Sequence, residues 1–300
     1  MTGPLDGFKI LDLTQVVSGP LTTMLLADQG ADVLKVEPVD GLGDMTRLPS
    51  FDKGGIGAFY MNNNRGKNSL SLDLSKEEGV EIIMELAKSA DVFVQNFRPG
   101  AIERMGLGYE QLSAINPNLI YVSISGFGPT GPYSNRPVLD PVIQGICGVI
   151  SRQLNPQIPF PDLVRNLYAD KSTALTVAQA TTAALLARER TGVGQHVEIP
   201  MVDACMYFFW PDGMMDLTMV DDDANGGILL SSVYNLTECS DGKIMCISPP
   251  QINSEQEYAL RLVTRMGEDE RFSSMAALAA NPENFVLLGE MLAERFRNEL

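Results

Sequence analysis

The chain has 300 residues, 45% of them hydrophobic and 20% charged, with a mean hydropathy close to zero. That composition excludes a disordered chain and supplies a core for one large domain and a smaller one. The net charge of −16 argues against a nucleic-acid partner, whose affinity comes largely from Lys and Arg on phosphates. The imbalance is uneven: residues 1–200 carry 16 Lys/Arg against 21 Asp/Glu, and residues 201–300 carry 6 against 17. A polyanionic ligand therefore belongs to the first two-thirds, and the acidic last third reads as solvated surface. Met1–Asp6 shows neither a basic n-region nor an apolar h-region, and no apolar stretch is long enough to cross a bilayer. Cys147, Cys205, Cys239 and Cys246 lack CxxC spacing and read as buried core thiols, so a cytoplasmic location is expected.

The elements begin with a β-α-β unit. Phe8–Leu13 is a short apolar strand, Gly19-Pro20 opens a helix through Ala27, Gly30 stops it, and Asp32–Glu37 is the second strand. Ser69–Leu74 predicts a strand, Lys76–Ser89 a helix with an apolar stripe, and Asp91–Gln95 another strand. Helix formers run over Ala101–Met105 and Tyr109–Ile115, before a strand at Leu119–Ser125 that ends in Gly126-Phe127-Gly128. Strands alternating with helices predict a mostly parallel sheet covered on both faces. An Ala-rich helix follows from Asp170 to about Arg188, then strand Gln195–Ile199 and a helix from near Pro200. Residues 201–220, rich in Met and aromatics, read as core or subunit interface. Asp221–Gly227 reads as a boundary. Beyond it, Val233–Cys239 and Lys243–Ser248 form a hairpin around Ser240-Asp241-Gly242, followed by helices over Glu255–Met266 and from Asn284 to the end.

Several chemistries fail on the residues themselves. The one histidine, His196, sits within an apolar strand, which excludes zinc sites needing two or more histidines and favours a satisfied strand residue. No GxGxxG follows the first strand, and there is no GxxxxGK[ST] loop. Two loops suit anions at strand ends: Asn62–Lys67, with two cations and a glycine, and Asn96–Gly100, with Arg104 about one turn later. Each is also compatible with an ordinary polar turn. Asp170 stands at or near a helix N-cap, where partial positive charge and unpaired N–H groups would hold a carboxylate ionised. That is what a carboxylate nucleophile requires, although a structural cap has the same spacing.

The motifs together resemble the class III coenzyme A transferases, the family of formyl-CoA transferase, carnitine CoA-transferase and α-methylacyl-CoA racemase. The resemblance rests on Leu11-Asp12-Leu13-Thr14, Gly19-Pro20, Leu26–Glu37, Gly43-Asp44-Met45-Thr46-Arg47, Asn64-Arg65-Gly66-Lys67 and Asn96-Phe97-Arg98-Pro99-Gly100. It continues through Ser123–Gly128, Ala169-Asp170 and Thr191–Glu198, in family order over about residues 5–250. It implies that Asp170 is the nucleophile, attacking an acyl-CoA thioester, and that Asn96, Phe97, Arg98 and Arg104 hold CoA. Further CoA contacts are implied at Val16, Val17, Ser18, Leu72 and Arg136. The implied ligands are an acyl-CoA, as substrate and with no prosthetic group or metal, and a free carboxylate. The implied assembly is an interlocked homodimer, with no nucleic acid and no membrane as partner.

The expected fold class is α/β. A Rossmann-like large domain with a mostly parallel sheet spans 1–200, a helical linker 201–227, and a smaller α+β domain 228–300. That small domain is expected to be incomplete, because the family chain runs longer and returns to the large domain. Pro38 stands where several transferases place a CoA-binding arginine, leaving Arg47 or Arg65 as substitutes. Racemases of the family carry a histidine in the segment corresponding to Arg136–Asp140, where this chain has none, so Asp140 is the only candidate second base there. A CoA-binding chain without turnover is the non-enzymatic alternative.

Overall fold

The computed structural model describes residues 3–48, 51–153, 160–220, 235–247, 269–272, 277–278, 280–281 and 283–299. The chain divides into two compact units, Met1–Gly148 with Leu163–Phe208, and Val149–Asp162 with Phe209–Leu300.

The first unit follows the alternating pattern. Strand β1 (Lys9–Asp12) leads to helix α1 (Ser18–Asp28) and strand β2 (Asp32–Pro38). A two-residue hairpin, β3 (Asp52–Lys53) and β4 (Ile56–Gly57), and helix α2 (Ala58–Asn64) precede β5 (Asn68–Leu72). Then come α3 (Glu77–Ala87), β6 (Val92–Gln95), α4 (Ala101–Arg104), α5 (Tyr109–Ile115) and β7 (Ile120–Ser125). Helix α6 (Asp140–Ile146) closes the first segment. After α7 (Val149–Arg152), which belongs to the second unit, the long α8 (Tyr168–Thr191) feeds β8 (Gln195–Pro200) and α9 (Met201–Gly213).

Six strands form one parallel sheet in the order β5-β2-β1-β6-β7-β8. Counted along the sheet's own strands this is 3-2-1-4-5-6, the doubly wound order, so the expected Rossmann-like topology holds. Strand β6 is buried throughout and β7 nearly so, as required when helices cover both faces. Ile83 of α3, Ile102 of α4 and Leu112 of α5 pack with Leu11, Val36, Phe93 and Tyr121 on one face. On the other face α1 packs against α8, where Thr22 Oγ1 donates to the Ala174 carbonyl at 3.2 Å. Helix α1 runs so close to the turn after β1 that a Cβ on Gly19 would stand 2.3 Å from the Thr14 side chain. His196 behaves as a satisfied strand residue: its Nε2 lies 2.8 Å from Ser123 Oγ and its ring stacks on Tyr109.

Element ends moved by a few residues. β5 begins at Asn68 and stops at Leu72, and α8 continues to Thr191, where Gly192 in the left-handed conformation caps it. The larger correction is at residues 58–64, which form α2 where a polar loop was expected from Asn62 onward. The Asn63 and Asn64 side chains donate back to Phe59 and Tyr60 carbonyls one turn earlier, so amides read as loop donors are spent inside a helix. Cys147 and Cys205 are buried as expected, whereas Cys246 is exposed.

In the second unit, β9 (Asn235–Glu238) and β10 (Ile244–Ile247) pair antiparallel, and the last helix, α10, spans Glu283–Glu299. Phe272, Leu278, Leu288 and Leu292 form its small core. The boundary read at 221–227 and the helix read over 255–266 lie outside the described residues. Among the described residues, no helix is long and apolar enough to cross a membrane.

Candidate active site

Open parallel sheets bind ligands beyond the carboxyl ends of the strands, where the strand order reverses. In this sheet that point lies between β1 and β6, and a cavity of about 600 Å³ opens there. Its wall takes Leu13, Gln15, Val16 and Ser18 from the turn after β1, and Asn96–Pro99 from the turn after β6. Ile124–Gly126 at the end of β7, the 134–140 segment, Asp170 and Met201 complete it. The two turns are tied together by one amide. Asn96 Oδ1 accepts from the Gln15 N–H at 2.9 Å, and Asn96 Nδ2 donates to the Gln15 carbonyl at 2.8 Å.

Asp170 is the third residue of α8, and the residue in the cap position is Leu167, which makes no side-chain cap bond. Asp170 thus lies in the first turn, near the cap as expected, but is not itself the cap, and the helix end does not hold its carboxyl at a low pKa. Burial, with the neighbouring Asp140 charge adding to it, pushes the Asp170 carboxyl up to about 6, and hydrogen bonds from the Ser18 hydroxyl and N–H oppose the rise. Ser18 is the first residue of α1, so its N–H is one of the donors a helix N-terminus leaves without an internal partner. Asp140, the first residue of α6, accepts the Asp170 backbone N–H at 3.0 Å and Gln144 Nε2 at 2.6 Å. Gln144 also receives the Val164 N–H at 3.0 Å, which fixes the chain leading into α8. Helices α1, α6 and α8 thus bring Ser18, Asp140 and Asp170 to one point.

Of the residues named from the resemblance, Val16, Ser18, Asn96, Phe97, Arg98, Arg136 and Asp170 share the cavity wall. Val17 is buried beside it, and Leu72 packs against the α3–α5 core instead. Arg104 is exposed on α4 with its Nη1 3.0 Å from where a Cβ on Gly100 would stand, outside the wall. Arg136 lies over the Tyr133 ring at 4.1 Å.

The substitutes for an arginine at Pro38 are committed elsewhere. Arg47 makes a two-pronged pair with Glu37 at 2.8 and 2.7 Å, and Arg65 pairs with Asp28. Lys67 is withdrawn too: its Nζ donates to Asp12 at 3.0 Å, to the Pro20 carbonyl at 2.9 Å and to Asn64 Oδ1 at 2.8 Å. The Asn62–Lys67 segment is therefore a structural brace, because its cations neutralise buried or neighbouring carboxylates.

Sequence reading missed the frame beneath the turn after β1. Lys35 and Asp44 are fully buried and paired at 3.0 Å. Burial pushes the Asp12 carboxyl up, but Lys67, Lys35 and the Thr14 and Thr23 hydroxyls outweigh it and hold it at about 2. Glu37 likewise sits at about 2, burial being overcome by Arg47, the Asp44 N–H and Ser69. The signal was present, since Gly43–Arg47 was among the matching motifs, but spacing does not reveal that its charges fold back onto β2.

The pattern of CoA-transferase family III matches residues 5–300, and the chain belongs to that family. It is 39% identical over 206 residues to the acetyl-CoA:oxalate CoA-transferase of Acetobacter aceti, covering 69% of this chain and 53% of that protein. With the human succinyl-CoA:glutarate CoA-transferase it shares 40% over 210 residues, 67% of this chain and 46% of the relative. The chain spans about half the length of these curated relatives. Among solved structures, a CAIB/BAIF family protein from Brucella suis superposes with a TM-score of 0.80 at 35% identity, over 99% of this chain and 79% of that one.

Proposed function

We propose that this chain moves CoA from an acyl-CoA to a free carboxylate, with Asp170 as the covalent nucleophile. The observation that carries the reading is Asp170's position in the switch-point cavity, flanked by Ser18 and a second carboxylate. With a carboxyl near 6, Asp170 is largely ionised at neutral pH yet more basic than an exposed aspartate, which suits attack on a thioester. Its oxygen adds to the thioester carbonyl and the C–S bond breaks, giving a mixed anhydride and CoA thiolate. The thiolate then attacks the aspartyl carbonyl, releasing the donor's acid and leaving an aspartyl-CoA thioester. The acceptor carboxylate attacks that thioester and the two steps run in reverse, so no proton or water enters the balance.

Arg98 and Arg136 provide cations at the cavity, matched to the phosphates of CoA, and Asn96 and Phe97 border the same path. Val17, Leu72 and Arg104 remain part of the proposed CoA contact set on the resemblance alone. The cytoplasmic location, the homodimer, the absence of a prosthetic group, and the division into a CoA-binding domain, a linker over 201–227 and a small domain belong to the same reading.

A family racemase would need a second proton-transfer group opposite Asp170. Asp140 stands beside Asp170 instead, its carboxylate engaged by the Asp170 N–H and by Gln144. The test is CoA exchange from a panel of acyl-CoAs to a panel of free carboxylates. Asp170→Ala should lower exchange by about a thousandfold or more, as loss of a covalent nucleophile does. Undiminished exchange by a folded Asp170→Ala protein would refute the reading.

A further inference from the structure

The Gly43–Arg47 segment does not face the cavity, yet it is bound tightly into the frame. Asp44 is fully buried and each carboxylate oxygen has a defined partner. Oδ1 accepts the Thr46 N–H at 3.0 Å and the Thr46 hydroxyl at 2.8 Å, and Oδ2 pairs with Lys35 Nζ at 3.0 Å. The same carboxylate receives the Val16 N–H, 3.2 Å from Oδ2 and 3.4 Å from Oδ1. Lys35 Nζ also donates to the Thr14 carbonyl at 2.8 Å, so one buried ion pair grips the turn at two points.

What it grips is strained. Val16 has φ of +72°, a left-handed conformation that a β-branched residue adopts only under external restraint. Val16 stands between Gln15, clamped to Asn96, and Ser18, which lines the cavity together with Asp170. Relaxing Val16 would swing the start of α1 relative to the head of α8.

We propose that Asp44, paired with Lys35, is a positioning residue that holds Val16 in its left-handed turn and so keeps Ser18 on Asp170. The proposal rests on the reading of Asp170 as the reacting group for its importance to turnover, but its geometry can be tested without turnover. Through space alone, removing the Asp44 charge would make Asp170 easier to ionise. Through the turn, it would move the Ser18 N–H and hydroxyl away from their place beside Asp170 in the cavity wall and make ionisation harder. The two routes have opposite signs.

The experiment is a ¹³C-carboxyl NMR titration of aspartate-labelled full chain, with the Asp170 resonance assigned by its loss in Asp170→Asn. In Asp44→Asn the Asp170 titration should move to higher pH, and kcat/KM for acyl-CoA should fall by about tenfold, the scale of a small misplacement. Val16→Gly in the Asp44→Asn background should reverse most of the shift, because glycine adopts the turn without restraint. Lys35→Met/Asp44→Asn, which leaves no buried unpaired charge, carries the test if Asp44→Asn does not fold. An unchanged or lower Asp170 titration overturns the proposal, as does an upward shift that Val16→Gly does not reduce. Failure of both variants to fold, with Val16→Gly restoring neither, also overturns it, since the pair would then support the whole unit rather than the turn. Exchange retained by Asp170→Ala, by contrast, would remove the nucleophile reading and leave the titration result standing.

Discussion

Asp12 and Glu37, beneath the turn after β1, and Asp170, at the head of α8, are carboxylates of one unit in opposite surroundings. The first two lie against Lys67, Lys35 and Arg47 and are held at about 2. The third lies against Asp140 and Ser18 and is pushed up to about 6. Burial raises all three, so the neighbours decide the outcome. Cations around a buried carboxylate make it a fixed structural charge, while a second carboxylate makes it more basic and chemically available. The first arrangement holds the unit's loops, and the second leaves a more basic carboxylate at the cavity wall.

The largest disturbance to this contrast should come from Lys67→Met, which leaves Asp12 buried without its 3.0 Å partner. The expected loss of stability is about 3–5 kcal/mol, read by urea denaturation at pH 7. In the wild type, Asp12 has a folded pKa below its unfolded value, so its contribution is present above pH ~4 and lost as pH falls toward 2. In Lys67→Met the folded Asp12 pKa rises toward or past its unfolded value, so the Asp12-linked acid loss should shrink and the deficit relative to wild type should narrow as pH falls. An unchanged acid transition would show that Lys67 is not what holds Asp12 down.

Asp170 should behave in the opposite sense. Its folded pKa is raised, so its contribution is most favourable below the unfolded value of about 3.8 and is lost as pH rises through about 6. Asp170→Asn, neutral at every pH, should therefore be more stable than wild type at pH 7.5, by on the order of 2 kcal/mol. That advantage should vanish near pH 4. Thermal unfolding at both pH values checks it, and equal Tm values at pH 7.5 would contradict the assigned environment.

How much of this was legible in sequence depends on whether a feature is local. The parallel sheet was readable because β6 and β7 are short apolar runs between helical periods. Asp170 could be singled out from its helix start and motif context, but its electrostatics depend on Asp140, thirty positions away on another helix. The same limit explains the 62–67 segment. Its Asn, Arg and Lys residues look like ligands for an external anion, and only the fold shows that Lys67 reaches Asp12, fifty-five positions earlier. Helix α2 was hidden because its Asn-rich end has poor intrinsic helix preference, offset by side-chain bonds to the preceding turn.

The smallest effect belongs to a pair that carries neither role. Arg65 and Asp28 are exposed by 56% and 39% of their side chains, so Arg65→Ala should change stability by less than about 1 kcal/mol. It should also leave the KM for acyl-CoA unaltered, because Arg65 is spent on Asp28. A raised KM would return Arg65 to the CoA site.

The central claim, that Asp170 becomes covalently activated, is tested most directly by peptide mass spectrometry of protein incubated with an acyl-CoA and hydroxylamine. The account predicts an aspartyl hydroxamate at residue 170, dependent on acyl-CoA and absent when hydroxylamine is omitted. Modification confined to Asp140, or exchange of CoA between carboxylates with residue 170 unmodified throughout, would contradict it.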